Sequence, residues 1–215
     1  MEPQEAALKL IGQFDSPFTR RVAVTLALYG MAFEHLPWST VADADRLAAV
    51  NPLMRVPVLV LGDGEALTDT SAIIDHLDDV AGPARALLPR TGAARRRVLA
   101  AAALCAGVSD KAVALFYETA LHPAPSEFFA ARCKTQISGT LDLLERGRAA
   151  GAALWWFGDD LGHADIMLGC TLRHLGDVHP ALFDTARHRA LASHARACEA
   201  LPVFAAHQQA FAPPV

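Results

Sequence analysis

Ser16 lies in the segment Asp15-Ser16-Pro17-Phe18-Thr19-Arg20-Arg21, where the apolar run Leu8-Lys9-Leu10-Ile11-Gly12 gives way to helical spacing of Val22, Leu26 and Tyr29. A helix start presents N–H groups with no intrahelical acceptor and a partial positive charge, and both favour an anion such as a thiolate. The Ser16 hydroxyl can add a donor to that anion, and it reads equally as an N-cap whose oxygen accepts from the helix's own backbone. At Val56-Pro57 a proline opens a strand after a loop and removes a ladder N–H. The bond there is trans or, less commonly, cis. In Leu67-Thr68-Asp69-Thr70-Ser71-Ala72-Ile73 a carboxylate and hydroxyls stand where a hairpin meets a helix start. Asp69 can take a ligand's ammonium while the helix end takes a carboxylate. The same residues serve equally as a plain helix cap.

The elements that must position these groups follow from apolar spacing and turn chemistry. Leu8 to Gly12 reads as a strand, and Pro17 at a first helical position opens a helix that Gly30 stops. Phe33 to Trp38 alternates as a second strand, Asp43 to Val50 is a short helix, and Asn51-Pro52 forces a turn. Val58 to Leu61 and Glu65 to Leu67 flank Gly62-Asp63-Gly64 as a hairpin, and a third helix with Ile73, Ile74 and Leu77 follows Asp69. One crossover gives a parallel pair and one hairpin an antiparallel pair, the order of an α/β thioredoxin-like domain. After residue 92 the pattern is helical only, with helices expected at 93–120, 125–149, 163–177, 186–198 and 202–210 and a loose tail at Ala212-Pro213-Pro214-Val215. The expected domains are therefore 1–82 and 92–215, joined by a linker rich in turn residues.

Composition narrows the function classes. The 215 residues are 53% hydrophobic and 20% charged, ample for a dry core. The net charge is −4 and the pI near 6.1, with only Arg95-Arg96-Arg97 as a basic run, so no nucleic-acid partner is expected. The longest unbroken apolar stretch, Val98 to Val108, has eleven residues, short of the roughly 18 of a spanning helix, so no membrane span is expected either. Met1-Glu2-Pro3-Gln4-Glu5 lacks the pattern of a secretory signal, and a cytoplasmic location is expected. Cys105, Cys133, Cys170 and Cys198 are far apart and read as buried reduced thiols. His163, His174 and His179 lack ligand-like partners, so no metal site is expected.

Together, three stretches resemble the cytosolic glutathione transferases, in their serine-type, bacterial form, over about residues 8–210. They are Ser16-Pro17-Phe18-Thr19-Arg20-Arg21, Asn51-Pro52-Leu53-Met54-Arg55-Val56-Pro57-Val58-Leu59, and Asp69-Thr70-Ser71-Ala72-Ile73-Ile74 with His76-Leu77. In the helical half, Gly158-Asp159-Asp160-Leu161-Gly162-His163-Ala164-Asp165-Ile166 resembles the family's core-helix motif, and Ala106 to Val113 with Tyr117-Glu118 is similar to a bacterial branch. The resemblance implies glutathione as co-substrate, no other cofactor, a homodimer and a role in detoxification.

Position by position, it implies that Ser16 donates to the glutathione sulfur. Val56 then pairs with the cysteinyl backbone beside a cis Pro57, Asp69 and Thr70 grip the γ-glutamyl end, and Arg55 meets the glycine carboxylate. The energetics are adequate. Lowering a thiol pKa from about 8.5 by about two units needs roughly 2.7 kcal/mol. One hydrogen bond to a charged acceptor supplies about 1.5–3 kcal/mol and a helix N-terminus about 0.3–1 more.

Three departures from the family pattern stand out. Asp69-Thr70 replaces the usual Glu-Ser, Gly162 replaces a Ser or Thr N-cap, and no cysteine occupies the Ser16 stretch, which argues against a thiol oxidoreductase. Asp165 is expected to be structural. On a helix over 93–120, Asp110, Val113, Ala114 and Tyr117 share a face expected to look toward the first domain. Tyr117 and Phe116 either line a pocket for a small hydrophobic electrophile or simply pack, and Phe14 and Phe18 carry the same ambiguity. Thr19 is the alternative sulfur contact. A carrier of hydrophobic ligands or a protein-interaction protein on the same scaffold is the alternative function.

Overall fold

The computed structural model describes residues 8–213. The reading of Met1 to Glu5 and the last two residues of the expected tail, Pro214 and Val215, lie outside them. Two compact units form: the described residues up to Ala86 together with those from Pro202 onward, and Leu87–Leu201.

The first unit carries β1 (Leu8–Ile11), α1 (Pro17–Tyr29), β2 (Phe33–Leu36), α2 (Ala44–Val50), β3 (Val58–Val60), β4 (Ala66–Thr68) and α3 (Thr70–Ala81). The sheet order is β2-β1-β3-β4, with β1 parallel to β2 and antiparallel to β3, and β3 antiparallel to β4. This is the expected thioredoxin-like arrangement. Successive residues of β1 and β3 point to opposite faces. Ile11 and Val58 pack with Leu47 of α2, whereas Leu10 and Leu59, both fully buried, belong to the face covered by α1 and α3. Gly30 ends α1 at φ 68, where its N–H reaches the Leu26 and Ala27 carbonyls, as a left-handed C-cap does. Strand β2 stops at Leu36, two residues short of the expected Trp38, because Pro37 breaks the ladder and the Trp38 N–H turns back to the Leu36 carbonyl at 2.8 Å.

The end of the chain differs from expectation in two ways. Helix α8 covers only Pro202–Ala206 instead of 202–210, and it belongs to the first unit. The buried Arg20 of α1 explains both. Its guanidinium donates to the carbonyls of Phe204 (2.9 Å) and His207 (2.8 Å), groups a longer helix would give to its own backbone. Phe204 itself is fully buried, with the Arg20 guanidinium 5.3 Å from its ring centre. The tail is not loose at Ala212, whose N–H donates to Asp15 Oδ2 at 3.0 Å.

The second unit is all helical: α4 (Gly92–Leu121), α5 (Glu127–Ala149), α6 (His163–Val178), a 3-10 turn (Pro180–Leu182) and α7 (Arg189–Glu199). Helix α6 is buried nearly all round from His163 to Leu172, which marks it as the central helix of the unit. Helix α4 is the one helix among the described residues whose length and composition would let it cross a membrane. Its stripe Val98, Ala101, Cys105, Val108, Ala112 and Leu115 is buried inside the unit, and Ser109 Oγ donates to Thr171 Oγ1 of α6 at 3.0 Å. That is the pattern of a core helix.

Asp165 sits at the third position of α6 and is buried. Its Oδ2 accepts the Gly162 N–H at 2.9 Å and its Oδ1 the Trp156 N–H at 2.7 Å. The carboxylate thereby caps the helix from inside where Gly162 has no side chain to do so. Trp156 packs on Leu88, Val98, Ala101 and Ala164, so the Trp155-Trp156-Phe157 run is largely packing. All four cysteines are buried free thiols.

Candidate functional site

The strand register brings the three candidate stretches to one edge of the first unit's sheet. Ile11 pairs with Val58, and Val58 pairs with Thr68, so the three residues form a row across β1, β3 and β4. Gly12 to Ser16 leave the row after Ile11, Val56-Pro57 enter it before Val58, and Asp69-Thr70 leave it after Thr68. Two inter-strand spacings separate the outer members, roughly 10 Å, which is about the reach of an extended tripeptide.

Ser16 is the N-cap of α1, at φ −69 and ψ 122, with Pro17 in the first helical turn and no acidic residue there. Its Oγ accepts the Thr19 N–H at 3.4 Å, a long cap. That contact occupies one lone pair, so capping does not exhaust the hydroxyl's capacity to hydrogen-bond. Thr19, by contrast, is 0% exposed, and its Oγ1 has no hydrogen-bond partner among the described residues. It packs against Gly12: a Cβ there would stand 2.5 Å from Thr19 Oγ1 and 2.8 Å from Val56 Cβ, and φ +128 further restricts the position to glycine. Gly12 thus lets β1 pass close to the Val56 loop.

The Val56-Pro57 bond is cis. The preceding loop is braced by buried Asn51, whose Nδ2 donates to the Arg55 carbonyl (2.9 Å) and whose Oδ1 accepts the Leu53 N–H (3.1 Å). The backbone at Arg55 is therefore pinned while its side chain is exposed. Asp69 is exposed and stands at φ 69 and ψ 127, a conformation costing about 1–3 kcal/mol for a residue with a Cβ. Its carboxylate accepts the Ser71 N–H at 2.7 Å and caps α3. Thr70 is 6% exposed and its buried Oγ1 has no hydrogen-bond partner among the described residues, a costly state.

Phe14 lies flat on His35, ring centres 3.9 Å apart and 3° from parallel, and its edge meets His207 at 5.4 Å. These rings border a depression of about 510 Å³ with Met31, Ala32 and Phe33. On α4, Asp110 and Tyr117 are exposed and Phe116 half-buried, off the stripe that packs inside the second unit, and the Phe116 and Tyr117 rings are 6.0 Å apart. Among the described residues no three His, Cys, Asp or Glu side chains gather as metal ligands would. Of these supporting residues, Gly12 and His35 carried no site signal in the sequence, and Asn51 marked itself as a turn and as the start of a resembling stretch, without its bracing role.

Two family models match the chain: the glutathione S-transferase N-terminal domain over residues 10–85 and the glutathione S-transferase C-terminal domain over 127–197. The chain is 33% identical over 172 residues to an uncharacterized GST-like protein, YibF, of Escherichia coli (strain K12), covering 78% of this chain and 82% of the relative. It is 33% identical over 178 residues to the probable glutathione S-transferase BZ2 of Zea mays, covering 77% and 73%. A glutathione S-transferase of Methylobacterium radiotolerans JCM 2831, solved in complex with glutathione sulfonate, superposes with TM-score 0.88 at 29% identity over 98% of this chain and 100% of that one. A glutathione transferase family member from Pseudomonas fluorescens Pf-5, solved with bound glutathione, gives TM-score 0.83 at 32% identity over 97% and 100%. With both halves matched in order and relatives of this identity covered over most of their length, the chain belongs to the glutathione S-transferase family.

Proposed function

We propose that the protein is a serine-type glutathione transferase that joins the glutathione sulfur to a small hydrophobic electrophile. The reading rests on one observation: the Ser16 hydroxyl at the mouth of α1 stands on the same sheet edge as the Val56-Pro57 turn and the Asp69-Thr70 helix start. In this reading Ser16 donates to the sulfur, the Val56 backbone pairs with the cysteinyl residue, Asp69 and Thr70 hold the γ-glutamyl end, and Arg55 meets the glycine carboxylate. The neighbours solved with glutathione and glutathione sulfonate support the choice of tripeptide. The thiol proton passes to solvent, a sulfur–carbon bond forms, and a leaving group departs or, with an activated alkene, the adjacent carbon takes a proton from water. Phe14, Asp110, Phe116 and Tyr117 are the candidates for contact with the electrophile.

The same reading takes the protein as a cytoplasmic homodimer that serves detoxification. Four buried free thiols suit a reducing compartment, and exposed Leu53, Met54 and Val80 suit an apolar partner surface. Titration calorimetry with glutathione tests the core of it. Saturable binding is expected below millimolar concentration, and Asp69→Asn is expected to weaken it about 10- to 150-fold, the value of a hydrogen bond to a charged group. No binding at millimolar glutathione would instead favour a protein-interaction role, and a screen of electrophiles for glutathione consumption separates transfer from mere carriage.

A further inference from the structure

The loop from Gly12 to Ser16 leads from β1 into α1. At its β1 end the Gly12 N–H donates to the Leu36 carbonyl (2.9 Å) and the Gly12 carbonyl accepts from His35 Nε2 (2.8 Å). Within the loop the Ser16 N–H donates to the Gln13 carbonyl at 3.2 Å, the contact of an ordinary turn. The two residues immediately before Ser16 are held from the far end of the chain. The Phe14 N–H donates to Gln209 Oε1 at 3.2 Å, and Asp15 Oδ2 accepts the Ala212 N–H at 3.0 Å. That end is itself fixed to α1 by Arg20, through the Phe204 and His207 carbonyls, and the His207 ring abuts Phe14. All these groups lie within the first unit.

We propose that the C-terminal segment, through Gln209 and the Ala212 N–H, is a strap that positions the Ser16 hydroxyl, with Gln209 acting as a positioning residue. This rests on the reading of Ser16 as the donor to the glutathione sulfur. A donor must reach its acceptor within about 3 Å, and a displacement of about 1 Å suffices to lose most of a catalytic contact. With the strap released, Phe14 and Asp15 lose their hydrogen bonds to the far end of the chain, and the Ser16 hydroxyl, still the N-cap of α1, loses the support of the residues that lead into it relative to the row that holds the rest of the tripeptide. Val56, Asp69 and Thr70 hang on other strands, so glutathione affinity depends little on the strap.

Two variants address the two contacts separately. Gln209→Met keeps length and removes the acceptor, and Ala212→Pro removes the N–H in a segment that is already non-helical. The readout is the ultraviolet absorbance of the thiolate in the binary complex with glutathione, titrated from pH 5 to pH 9, alongside kcat, KM and melting temperature. In the unmodified protein the bound thiol should ionise at lower pH than free glutathione. Each variant should move that ionisation back toward the free value and lower kcat at pH 7 about three- to tenfold, the worth of one hydrogen bond, with KM for glutathione within about twofold and melting unchanged. If the unmodified complex ionises like free glutathione, the Ser16 reading falls and the strap with it. If it ionises early but both variants titrate identically to it, the strap alone is overturned. A fall in melting temperature with a parallel rise in KM would mean a merely structural contact and would also overturn it.

Discussion

Replacing Ser16 by Ala removes the N-cap seen at that oxygen and the sulfur contact proposed for it, and their sizes differ. The cap to the Thr19 N–H spans 3.4 Å, beyond the usual 2.7–3.2 Å, so its loss should cost only about 0.5 kcal/mol, the low end for an N-cap. The fold should survive. If the hydroxyl lowers the bound thiol's pKa from about 8.5 to about 6.5, its removal cuts the thiolate fraction at pH 7 about 25-fold. The freed thiolate is more nucleophilic, by about eightfold for a Brønsted slope near 0.45, which returns part of the loss. Conjugation with an activated aryl halide should therefore fall between about threefold and 25-fold at pH 7. The smaller figure applies if the donated hydrogen bond weakens as sulfur attacks, and the larger if it persists into the transition state. The deficit should shrink with rising pH and vanish or invert near pH 9, where both proteins carry ionised thiol. A Ser16→Ala protein equal to the unmodified one at pH 7, or a deficit that stays constant across pH, refutes the assignment.

Other consequences are simpler. Gly12→Ala should destabilise the first unit by about 1–3 kcal/mol and weaken glutathione binding, since the added methyl meets both Thr19 and Val56 at a positive φ; chemical denaturation and calorimetry read the two effects. Asp165→Ala leaves the Trp156 and Gly162 N–H groups without their acceptor and should cost the second unit about 2–6 kcal/mol in denaturant unfolding. Gly162→Ser should add a few tenths of a kcal/mol, because the position has extended N-cap geometry and its Cβ would meet only ordinary contacts. Burial holds His194 below its ordinary 6.5, outweighing the pull of Asp165, and Arg148 Nε donates at 3.2 Å to the Nδ1 lone pair that protonation would consume. The unfolded chain thus binds more protons below pH 6.5, so this contribution is complete above 6.5 and is lost as pH falls. Thermal melting should show that decline, and His194→Gln should flatten it.

Much of the scaffold was legible because its signals are local. Ser16-Pro17 and Gly30 bracket α1 as read, and the hairpin at Gly62-Asp63-Gly64 gave β3 and β4 their register. The convergence of three site stretches followed from their order along the chain. What escaped depends on partners distant in sequence. Nothing in Phe204, His207 and their neighbours signals that Arg20 will take the carbonyls of those two residues, so the last helix was expected too long, its residues in the wrong unit and the tail loose. The crowding of Gly12 by Thr19 and Val56, which buries one candidate hydroxyl and leaves Ser16 half-exposed, is likewise a product of packing.

The Arg20 clasp also sets a timetable for synthesis. A ribosome delivers β1 through α3 first, yet Phe204 and the carbonyls Arg20 holds come only after the whole of Leu87–Leu201, several seconds later at about 5–20 residues per second. Through that interval the nascent first unit carries an apolar socket where Phe204 will sit and a guanidinium still bound to water. Its assembly thus waits on residues translated after the whole second unit, and until then the socket is exposed apolar surface of the kind chaperones cover. It also means that a gene fragment stopping at Ala86 would encode an unfinished unit.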